Sequence, residues 1–361
     1  MANIISIATA VPDYCHRQQD ILQFMQQAYD LNETDQRKLS SLYNRSGIGQ
    51  RYSVIADYGL PEQEWTFLPC ENNVFPGIEK RMAIYKKEAL PLSLKAIRQC
   101  ISGHISASAV THLITVSCTG MSAPGLDLEI VEALQLSPNI FRTSVNFMGC
   151  YAAIHALKLG KLICDSDAAA HVLIVSTELC TLHFQQEFTL DNAASSLLFA
   201  DGSAAILLSS SLQPAVHLSL DHFHAAIAFR GKQDMAWELS SKGFLMTLSG
   251  YIPQLIEEDI AVLVHEALQK QGLTQQDITH WCIHPGGRKI VDAIQQQLHL
   301  TDEDLAFSRK ILHSYGNMSS PTILFVLKEM MDALQANEEA RIFGVAFGPG
   351  LTMETFIATA S

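Results

Sequence analysis

Strand and helix signals recur at the same spacing in the two halves of this chain. In the first half an apolar strand ends near Cys118, a helix begins 32 residues later and another strand begins 53 residues later. In the second half a strand ends near His284, and the next helix and strand follow after 33 and 57 residues. Matched intervals of this kind indicate an internal duplication of one strand-helix-strand unit. We therefore expect two similar halves, residues 1–212 and 213–361.

Short apolar runs alternate with segments of helical spacing along the chain, which is the pattern of an α/β sandwich. Several of the runs are apolar throughout, as in strands that are buried on both faces. The predicted strands are residues 3–10, 112–118, 171–177, 203–209, 278–283, 341–347 and 351–358. The predicted helices are residues 18–30, 85–102 with a break at Pro91, 125–136, 150–165, 253–271, 288–298 and 319–335.

Composition excludes several classes of protein. The chain of 361 residues is 48% hydrophobic and 17% charged, so it carries enough apolar side chains for a large core and is not a disordered protein. Its 24 basic and 37 acidic residues give a net charge of −13, which repels nucleic acids and anionic membranes. No apolar run approaches the ~20 residues of a membrane-spanning helix. An anionic ligand must therefore find a local basic patch.

The cysteines indicate a reducing, cytoplasmic setting. All eight lie outside C-x-x-C pairs, and their spacing does not form the framework of a small secreted domain. The apolar N-terminus lacks the basic leader of an export signal. The sequence patterns of zinc proteases, P-loop enzymes and dinucleotide-binding domains are also absent. The chemistry must therefore come from side chains.

Cys150 is the candidate nucleophile. It follows Gly149 and precedes a helical segment in the run VNFMGCYAAIHALKLGK. The unpaired N–H groups at a helix start favour a thiolate, which is the nucleophilic form of cysteine. The alternative is a small buried cysteine that fills a packed helix start, as most of the other seven are expected to do.

Two polar residues of the second half are candidate partners for Cys150. His284 lies at the end of an apolar strand and before a Pro-Gly-Gly turn, a position suited to a base or an electrostatic stabiliser. Asn317 follows Gly316 and offers an amide donor ahead of serines that are natural helix caps. Taken singly, each residue is equally consistent with a turn or core role. The glycine-rich run of residues 346–355 either offers backbone N–H groups to a ligand or forms a tight hairpin.

Four separated motifs resemble those of the type III polyketide synthases, the chalcone synthase and stilbene synthase family. We expect this chain to be a member of the bacterial type. The motifs are Gly149-Cys150, HPGG from His284, GNMSS from Gly316 and FGPGLTMET from Phe347, in the family's order and at about its intervals. The resemblance extends to STELC around Glu178, LLFADGSAA around Phe199 and Asp201, and CTGMSAPGLD around Pro124 and Asp127. It is weakest over the first eighty or so residues.

The resemblance implies the thiolase fold, a duplicated five-layer αβαβα sandwich, and a homodimer in which each subunit has its own buried site. It also implies roles for individual residues. Cys150 resembles the nucleophile that receives an acyl group from coenzyme A. His284 and Asn317 resemble the pair that keeps the thiolate charged and donates hydrogen bonds to the enolate formed when malonyl-CoA loses carbon dioxide. Phe199 resembles the aromatic gate beside this triad, although ordinary core packing would also explain it.

Coenzyme A carries several negative charges, so the resemblance also implies a basic patch at the tunnel mouth. Lys38 and Arg45 match cationic positions that the family uses for the phosphates. A third such position is Ser41 here, which implies looser or differently arranged phosphate binding. The alternative for each cation is the solvated face of an amphipathic helix.

Departures from the family pattern concern the cavity. By local alignment His183 and Cys118 each replace a threonine of chalcone synthases, and Met246 stands where a second gating phenylalanine is expected. A bulky histidine should shorten or redirect the elongation pocket, whereas a flexible methionine suits an aliphatic starter. Ala346 replaces the first glycine of the usual GFGPG, and the backbone N–H groups of Ala346 and Gly348 are candidates for an oxyanion hole.

The sequence therefore predicts an acyltransferase that loads an aliphatic acyl-CoA, condenses it with malonyl-CoA by decarboxylative Claisen chemistry and cyclises the product to a pyrone or resorcinol-type ring. No metal or redox cofactor is expected. One alternative is a β-ketoacyl-acyl carrier protein synthase III, which shares the fold and triad but extends once with carrier-bound malonate. Another is a catalytically silent family member that acts as a binding partner.

Overall fold

A computed structural model describes residues 1–29, 31–68 and 75–360. Its strands are β1 Asn3–Ala10, β2 Tyr14–Arg17, β3 Gln50–Ser53, β4 His112–Ser117, β5 Phe141–Asn146, β6 His171–Leu179, β7 Asp201–Ser209, β8 Leu218–Ile227, β9 Met235–Ser240, β10 Gly243–Leu248, β11 His280–Ile283, β12 Ala340–Gly348 and β13 Thr352–Ala360. Its α-helices are α1 Gln18–Ala28, α2 Glu33–Asn44, α3 Ile78–Ile101, α4 Leu126–Ala133, α5 Ala152–Ser166, α6 Leu190–Leu198, α7 Ile252–Gln269, α8 Arg288–Leu298, α9 Ala306–Tyr315 and α10 Pro321–Ala333.

Nine strands form one sheet in the order β11-β12-β13-β8-β1-β7-β6-β4-β5. The strand order repeats in the two halves when read outward from the centre: β1, β7, β6, β4 in the first and β8, β13, β12, β11 in the second. The directions repeat too, because β4 is parallel to β6 and β11 to β12, whereas β7 and β13 are antiparallel to both of their neighbours. The halves meet where β1 pairs with β8, Asn3 opposite Ser219. The boundary at residues 212 and 213 falls between β7 and β8 and stays a prediction.

Helices cover the two halves of the sheet in layers, as the αβαβα expectation requires. The middle layer is α5 and α10, and each of them contacts strands of both halves. On the outer sides α3 packs against β1, β6 and β7, while α7 packs against β8 and α8. Three clusters of buried apolar side chains correspond to the three spaces between these layers. Burial on both faces explains why β7 consists of buried residues throughout.

Helix α3 corrects the expectation of a break at Pro91. The helix continues through Pro91 from Ile78 to Ile101. Pro91 lies on its exposed face, whereas its neighbours Ala89 and Leu92 are buried against the sheet. A proline removes one backbone hydrogen bond, and at an exposed position water can satisfy the carbonyl that this leaves free. Packing of the buried face therefore holds the helix together.

Candidate active site

Six of the residues predicted from the sequence line one enclosed cavity of about 50 Å³. They are Cys118, Cys150, Phe199, Met246, His284 and Asn317. The first half of the chain supplies three of them and the second half the other three. Their convergence follows from the repeated fold, because the starts of α5 and α10 and the ends of β4 and β11 meet between the two halves of the sheet.

The turn before α5 presents Cys150 to the cavity. Cys150 lies in a 3₁₀ turn, Gly149–Tyr151, that leads directly into α5. Gly149 has a φ of 77°, and a Cβ there would lie 2.2 Å from Cδ of Pro349. Only glycine satisfies both the left-handed backbone and this close approach. The backbone N–H of Gly149 donates to Sγ of Cys118 at 3.1 Å, so the turn is held from both halves of the chain.

Burial and hydrogen bonding act in opposite directions on the pKa of the Cys150 thiol. Part of the side chain faces the cavity, yet protein atoms surround it, and burial raises the pKa of the thiol to about 11. Ser319 and Asn317 act in the opposite direction through hydrogen bonding to the thiolate, while the negative charge of Glu178 adds to the increase. Desolvation therefore acts against the thiolate that the helix start favours, and the thiolate form of Cys150 stays a prediction.

His284 is a neutral base in the same cavity. It follows β11 and is 1% exposed, and its backbone is fixed by hydrogen bonds from its N–H to the carbonyl of Val345 and from the N–H of Gly286 to its own carbonyl, both 2.9 Å. Burial lowers the pKa of the imidazole to about 3. Neither ring nitrogen has a hydrogen-bond partner among the described residues. One ring nitrogen is thus available to accept a proton and the other to donate one.

Asn317 is fixed by hydrogen bonds through its side chain and its backbone. Its Nδ2 donates to the carbonyl of Gly286 at 3.2 Å, and its Oδ1 accepts from the N–H of Ser319 at 2.8 Å. The backbone of Asn317 pairs with the segment that carries Phe199, through the N–H of Ala200 at 2.8 Å. The second N–H of the amide can bond either the Cys150 thiolate or a ligand at the same place. The Asn317 amide and the Phe199 ring are consequently positioned together.

Glu178 lies behind Cys150, and sequence reasoning gave it no role. It is fully buried on β6 and accepts hydrogen bonds from the N–H of Cys118, the hydroxyl of Thr119 and the hydroxyl of Ser320, at 2.7–3.0 Å. Burial raises its pKa to about 7. These contacts tie the end of β4 to the start of α10. The signal in the sequence that could have identified Glu178 was a single glutamate inside an apolar strand.

His183 lies outside this cavity and lines an adjoining one of about 30 Å³. Its Nε2–H donates to the carbonyl of Thr119 at 2.8 Å, and its Nδ1 accepts from the N–H of Phe244 at 3.1 Å. Its ring stacks on Phe244 with centroids 4.3 Å apart. Burial lowers its pKa to about 3, so it is neutral. His183 therefore anchors the β9–β10 hairpin that carries Met246.

Trp237 is a cavity residue that the sequence did not reveal. It lies on β9, its Nε1 donates to the carbonyl of Cys118 at 2.7 Å, and it lines both cavities. By contrast, Ala346 and Gly348 do not line either one, whereas the adjacent Phe347 and Pro349 line the larger. A role of the Ala346 and Gly348 backbone in an oxyanion hole stays a prediction.

The predicted coenzyme A ligands lie on or next to α2. Lys38 is exposed and pairs with Asp35 at 2.9 Å. Arg45 follows the helix and lines an open surface depression of about 810 Å³ together with Ser41 and Arg37, and Arg37 itself pairs with Glu33 at 3.2 Å. Lys38 is not among the residues that line this depression. Phosphate binding by Lys38 and Arg45 stays a prediction.

The described residues contain neither a metal-binding cluster nor a helix suited to a membrane. In the ranges 1–29, 31–68 and 75–360 no cluster of three or more His, Cys, Asp or Glu side chains is arranged to hold a metal ion. In the same ranges no helix combines the length and the apolar character that crossing a bilayer requires. Cys70 lies outside the described residues, and the other seven cysteines are free thiols.

Comparisons with known proteins cover almost the whole chain. The model of the N-terminal domain of chalcone and stilbene synthases matches residues 1–212, and the model of their C-terminal domain matches residues 223–360. A Bacillus subtilis protein described as "Putative chalcone synthase" is 31% identical over 372 residues, covering 99% of this chain and 98% of the relative.

Solved structures of polyketide synthases share the fold. PKS-I from the brown alga Ectocarpus siliculosus superposes with a TM-score of 0.90 at 28% identity, covering 99% of this chain and 97% of that one. The 1,3,6,8-tetrahydroxynaphthalene synthase of Streptomyces coelicolor, described as a bacterial type III polyketide synthase, gives a TM-score of 0.88 at 22% identity, with 99% and 98% covered. These likenesses confirm the predicted thiolase fold.

Proposed function

Because the chain belongs to the chalcone and stilbene synthase family of type III polyketide synthases, which are decarboxylating, condensing acyltransferases, we propose that it extends an aliphatic acyl-CoA starter with malonyl-CoA units. The product would then close to a pyrone or resorcinol-type ring. The observation that carries the proposal is that Cys150, His284 and Asn317, drawn from both halves of the chain, line a single cavity.

In the loading step the Cys150 thiol gives its proton to His284. A thiol is a weak nucleophile until it is deprotonated, and the ring nitrogens of His284 are unpartnered and neutral. The sulfur attacks the acyl-CoA carbonyl, the bond from that carbonyl to the sulfur of coenzyme A breaks, and the departing thiolate takes the proton from the imidazolium. The products are a Cys150 thioester and free coenzyme A, with His284 neutral again.

In the extension step malonyl-CoA loses carbon dioxide to leave an enolate. The electron pair of the broken carbon–carbon bond moves towards the thioester oxygen, where an N–H of His284 and the remaining N–H of Asn317 would donate hydrogen bonds. Fixed donors in a dry site stabilise such a charge strongly. The enolate carbon then attacks the Cys150 thioester, which forms a new carbon–carbon bond and releases the thiolate.

The lining of the cavity supports an aliphatic starter. Most of the side chains there are apolar, among them Met235, Met246, Leu248 and Ile290, and apolar pockets bind alkyl groups through burial. A volume of about 50 Å³ accommodates roughly four water-sized groups. A short alkyl chain fits this space better than a long one.

The setting proposed for the enzyme follows the family. We expect a homodimer in the cytoplasm in which each subunit holds its own site for acyl-CoA and malonyl-CoA. The steps above transfer acyl groups and protons and involve no net oxidation, so the proposal includes no metal or redox cofactor. Sedimentation velocity on the purified protein tests the dimer.

One incubation tests the proposed reaction. Purified protein with butyryl-CoA and malonyl-CoA alone should release carbon dioxide and form an extended, cyclised product detectable by mass spectrometry. A product that forms only when a malonylated carrier protein is supplied would favour a β-ketoacyl-acyl carrier protein synthase III. Absence of both an acyl-enzyme and carbon dioxide with every acyl-CoA would favour a silent binding protein.

A further inference from the structure

The cavity of about 30 Å³ next to the active site differs from its neighbour in chemistry. The two cavities share four lining residues, which are Cys180, Phe199, Trp237 and Met246. The smaller cavity is also lined by polar and charged residues, including Arg51, Ser195 and Gln185. A volume of about 30 Å³ has room for roughly two water-sized groups. A group passing Phe199 and Met246 from Cys150 would therefore enter polar surroundings.

Arg51 brings a fixed cation to this cavity. It lies on β3 and is 3% exposed, its Nε donates to Oε1 of Gln18 at 2.9 Å, and its Nη1 donates to the carbonyl of Phe199. Its Nη2 is buried and has no hydrogen-bond partner among the described residues. A buried donor without an acceptor costs stability. The guanidinium is therefore held rigidly with one donor unused.

Ser195 on α6 provides a second unused group in the same cavity. Its hydroxyl is buried and has no partner in the described parts of the chain. Other polar groups of the lining already have acceptors: Tyr58 donates to the carbonyl of Thr181 at 3.4 Å, and Gln185 donates to the carbonyl of His183 at 2.8 Å. The unsatisfied hydrogen-bonding capacity therefore includes the two N–H groups of Nη2 of Arg51 and the hydroxyl of Ser195.

The charges around Arg51 favour a neutral ligand. Asp201 is fully buried, interacts electrostatically with Arg51, and accepts hydrogen bonds from the N–H groups of Val54 and Thr181 at 2.8 Å and from the Thr181 hydroxyl at 2.6 Å. Burial raises its pKa to about 6, so the carboxylate is ionised at neutral pH. Because the negative charge of Asp201 already acts on this guanidinium, a further anion in the buried site would be repelled by Asp201. A carbonyl oxygen needs only donors.

We propose that Nη2 of Arg51 and the hydroxyl of Ser195 form a binding site for a neutral carbonyl oxygen of the substrate held at Cys150. This rests on the proposed function and deepens it. Such an oxygen has two sources: a β-keto group of the growing chain, or an amide of the pantetheine arm of coenzyme A. In either case the site acts by positioning the substrate and takes no part in bond breaking.

The test compares Ser195→Ala with Ser166→Ala, a matched control at the end of α5 whose hydroxyl bonds a helix carbonyl. Ser166→Ala should load butyryl groups, release carbon dioxide and form product within twofold of the wild type, whereas Ser195→Ala should shift one of two quantities. If the ligand is a keto oxygen, Ser195→Ala changes the ratio of cyclised to hydrolysed product about fivefold, the effect of one hydrogen bond. If the ligand is the pantetheine amide, the KM for malonyl-CoA rises about fivefold at an unchanged product ratio.

A second variant at the same position tests the proposed site independently of Ser195→Ala. Ser195→Val removes the hydroxyl and also fills the site with an apolar side chain, so it should shift the same quantity as Ser195→Ala and further. Wild-type product ratio and wild-type KM in both variants would overturn the proposal, and a lowered Tm of Ser195→Ala would then show that the hydroxyl binds only resident water. Failure of the proposed function is distinct, because the wild-type protein would then neither become acylated nor release carbon dioxide.

Discussion

The turns before α5 and α10 occupy equivalent places in the two halves of the chain, yet they present opposite kinds of group. Both turns use left-handed backbone, at Phe147 (φ 57°) and Gly149 (φ 77°) in the first half and at Gly316 (φ 70°) and Ser319 (φ 61°) in the second. Glycine adopts such a backbone readily, whereas at Phe147 and Ser319 it is costly and persists because the surrounding packing enforces it. The same backbone device therefore serves both halves of the site.

The difference lies in how the side chains are held. The turn of the second half fixes Asn317 through hydrogen bonds at Nδ2, at Oδ1 and along its backbone. The turn of the first half leaves the Cys150 thiol buried, which raises its pKa to about 11. One half thus supplies a rigid donor and the other a group that must be activated. The repeated fold provides two equivalent positions, and the chemistry depends on their carrying different side chains, a thiol in one half and an amide in the other.

The largest predicted effect on activity is expected at Cys150, which the turn of the first half carries. Cys150→Ala should lower product formation by more than about 10³-fold, because no other group replaces the nucleophile. Product analysis by mass spectrometry measures the loss. Cys164→Ala on α5, the helix that follows Cys150, is the control. This buried cysteine lies outside both cavities, so the variant should keep nearly full activity. Turnover by Cys150→Ala at the wild-type rate would remove Cys150 from the mechanism.

The next largest effect on activity is expected at His284 and Asn317, the hydrogen-bond donors of the second half. His284→Ala and Asn317→Ala are each expected to slow malonyl-CoA decarboxylation by about 10²–10³-fold, since each removes a fixed donor to the enolate. Release of labelled carbon dioxide is the measurement. His280→Ala, at the start of β11 and outside both cavities, serves as the control. Decarboxylation at the control rate in either variant would contradict the role of the substituted residue.

The protonation state of Cys150 gives a pH test. Because burial raises the pKa of this thiol to about 11, its thiolate fraction should rise about tenfold per pH unit between pH 7 and pH 9, roughly a hundredfold in all. The rate of alkylation of the Cys150 peptide by iodoacetamide should rise in proportion. A rate that is flat across this range would mean that the thiolate is already formed below pH 7, paired with protonated His284.

The close approach at Gly149 gives a stability test. Gly149→Ala should lower the free energy of unfolding by about 2–4 kcal/mol, since it adds a clash with Pro349 to the strain of left-handed backbone. Gly103→Ala is matched, because Gly103 has a φ of 78° and no atom within 4 Å of the added Cβ. It should lose about 1 kcal/mol. Equal losses in urea unfolding would show that the contact with Pro349 is unimportant.

The smallest effect on rate is expected at His183. His183→Thr removes the hydrogen bonds to Thr119 and Phe244, so the hairpin with Met246 should loosen and the product profile should change while the rate falls less than about fivefold. His183→Gln, which keeps a donor and an acceptor, should lie closer to the wild type. Identical profiles for all three proteins would show that His183 does not shape the cavity.

The sequence predicted the parts of the fold that depend on local pattern. Runs that are buried on both faces, such as β6 and β7, are apolar throughout and were found. The edge strand β5 is mostly exposed and β8 is half-exposed. Neither therefore has a periodic pattern of apolar residues that would distinguish it from a loop. Helices α2, α6 and α9 were missed for a related reason, since short or polar amphipathic segments give weak signals.

For the site, the spacing of the motifs located Cys150, His284 and Asn317, whose convergence depends on the repeated fold. It did not reveal Trp237, Arg51 or the contacts of Glu178, because these act through partners that are remote along the chain. The rise in the pKa of the Cys150 thiol was missed for the same reason. A helix start is visible in the sequence, whereas the desolvation that opposes it is a property of the whole cavity.

Mapping the acylated residue tests the central claim most directly. The enzyme is mixed with butyryl-CoA in the absence of malonyl-CoA, quenched in acid, digested and analysed by mass spectrometry. We predict a butyryl group on the peptide that contains Cys150 and on no other cysteine, and its absence in Cys150→Ala. A butyryl group on Cys118 or Cys180, or an unmodified protein, would contradict the account.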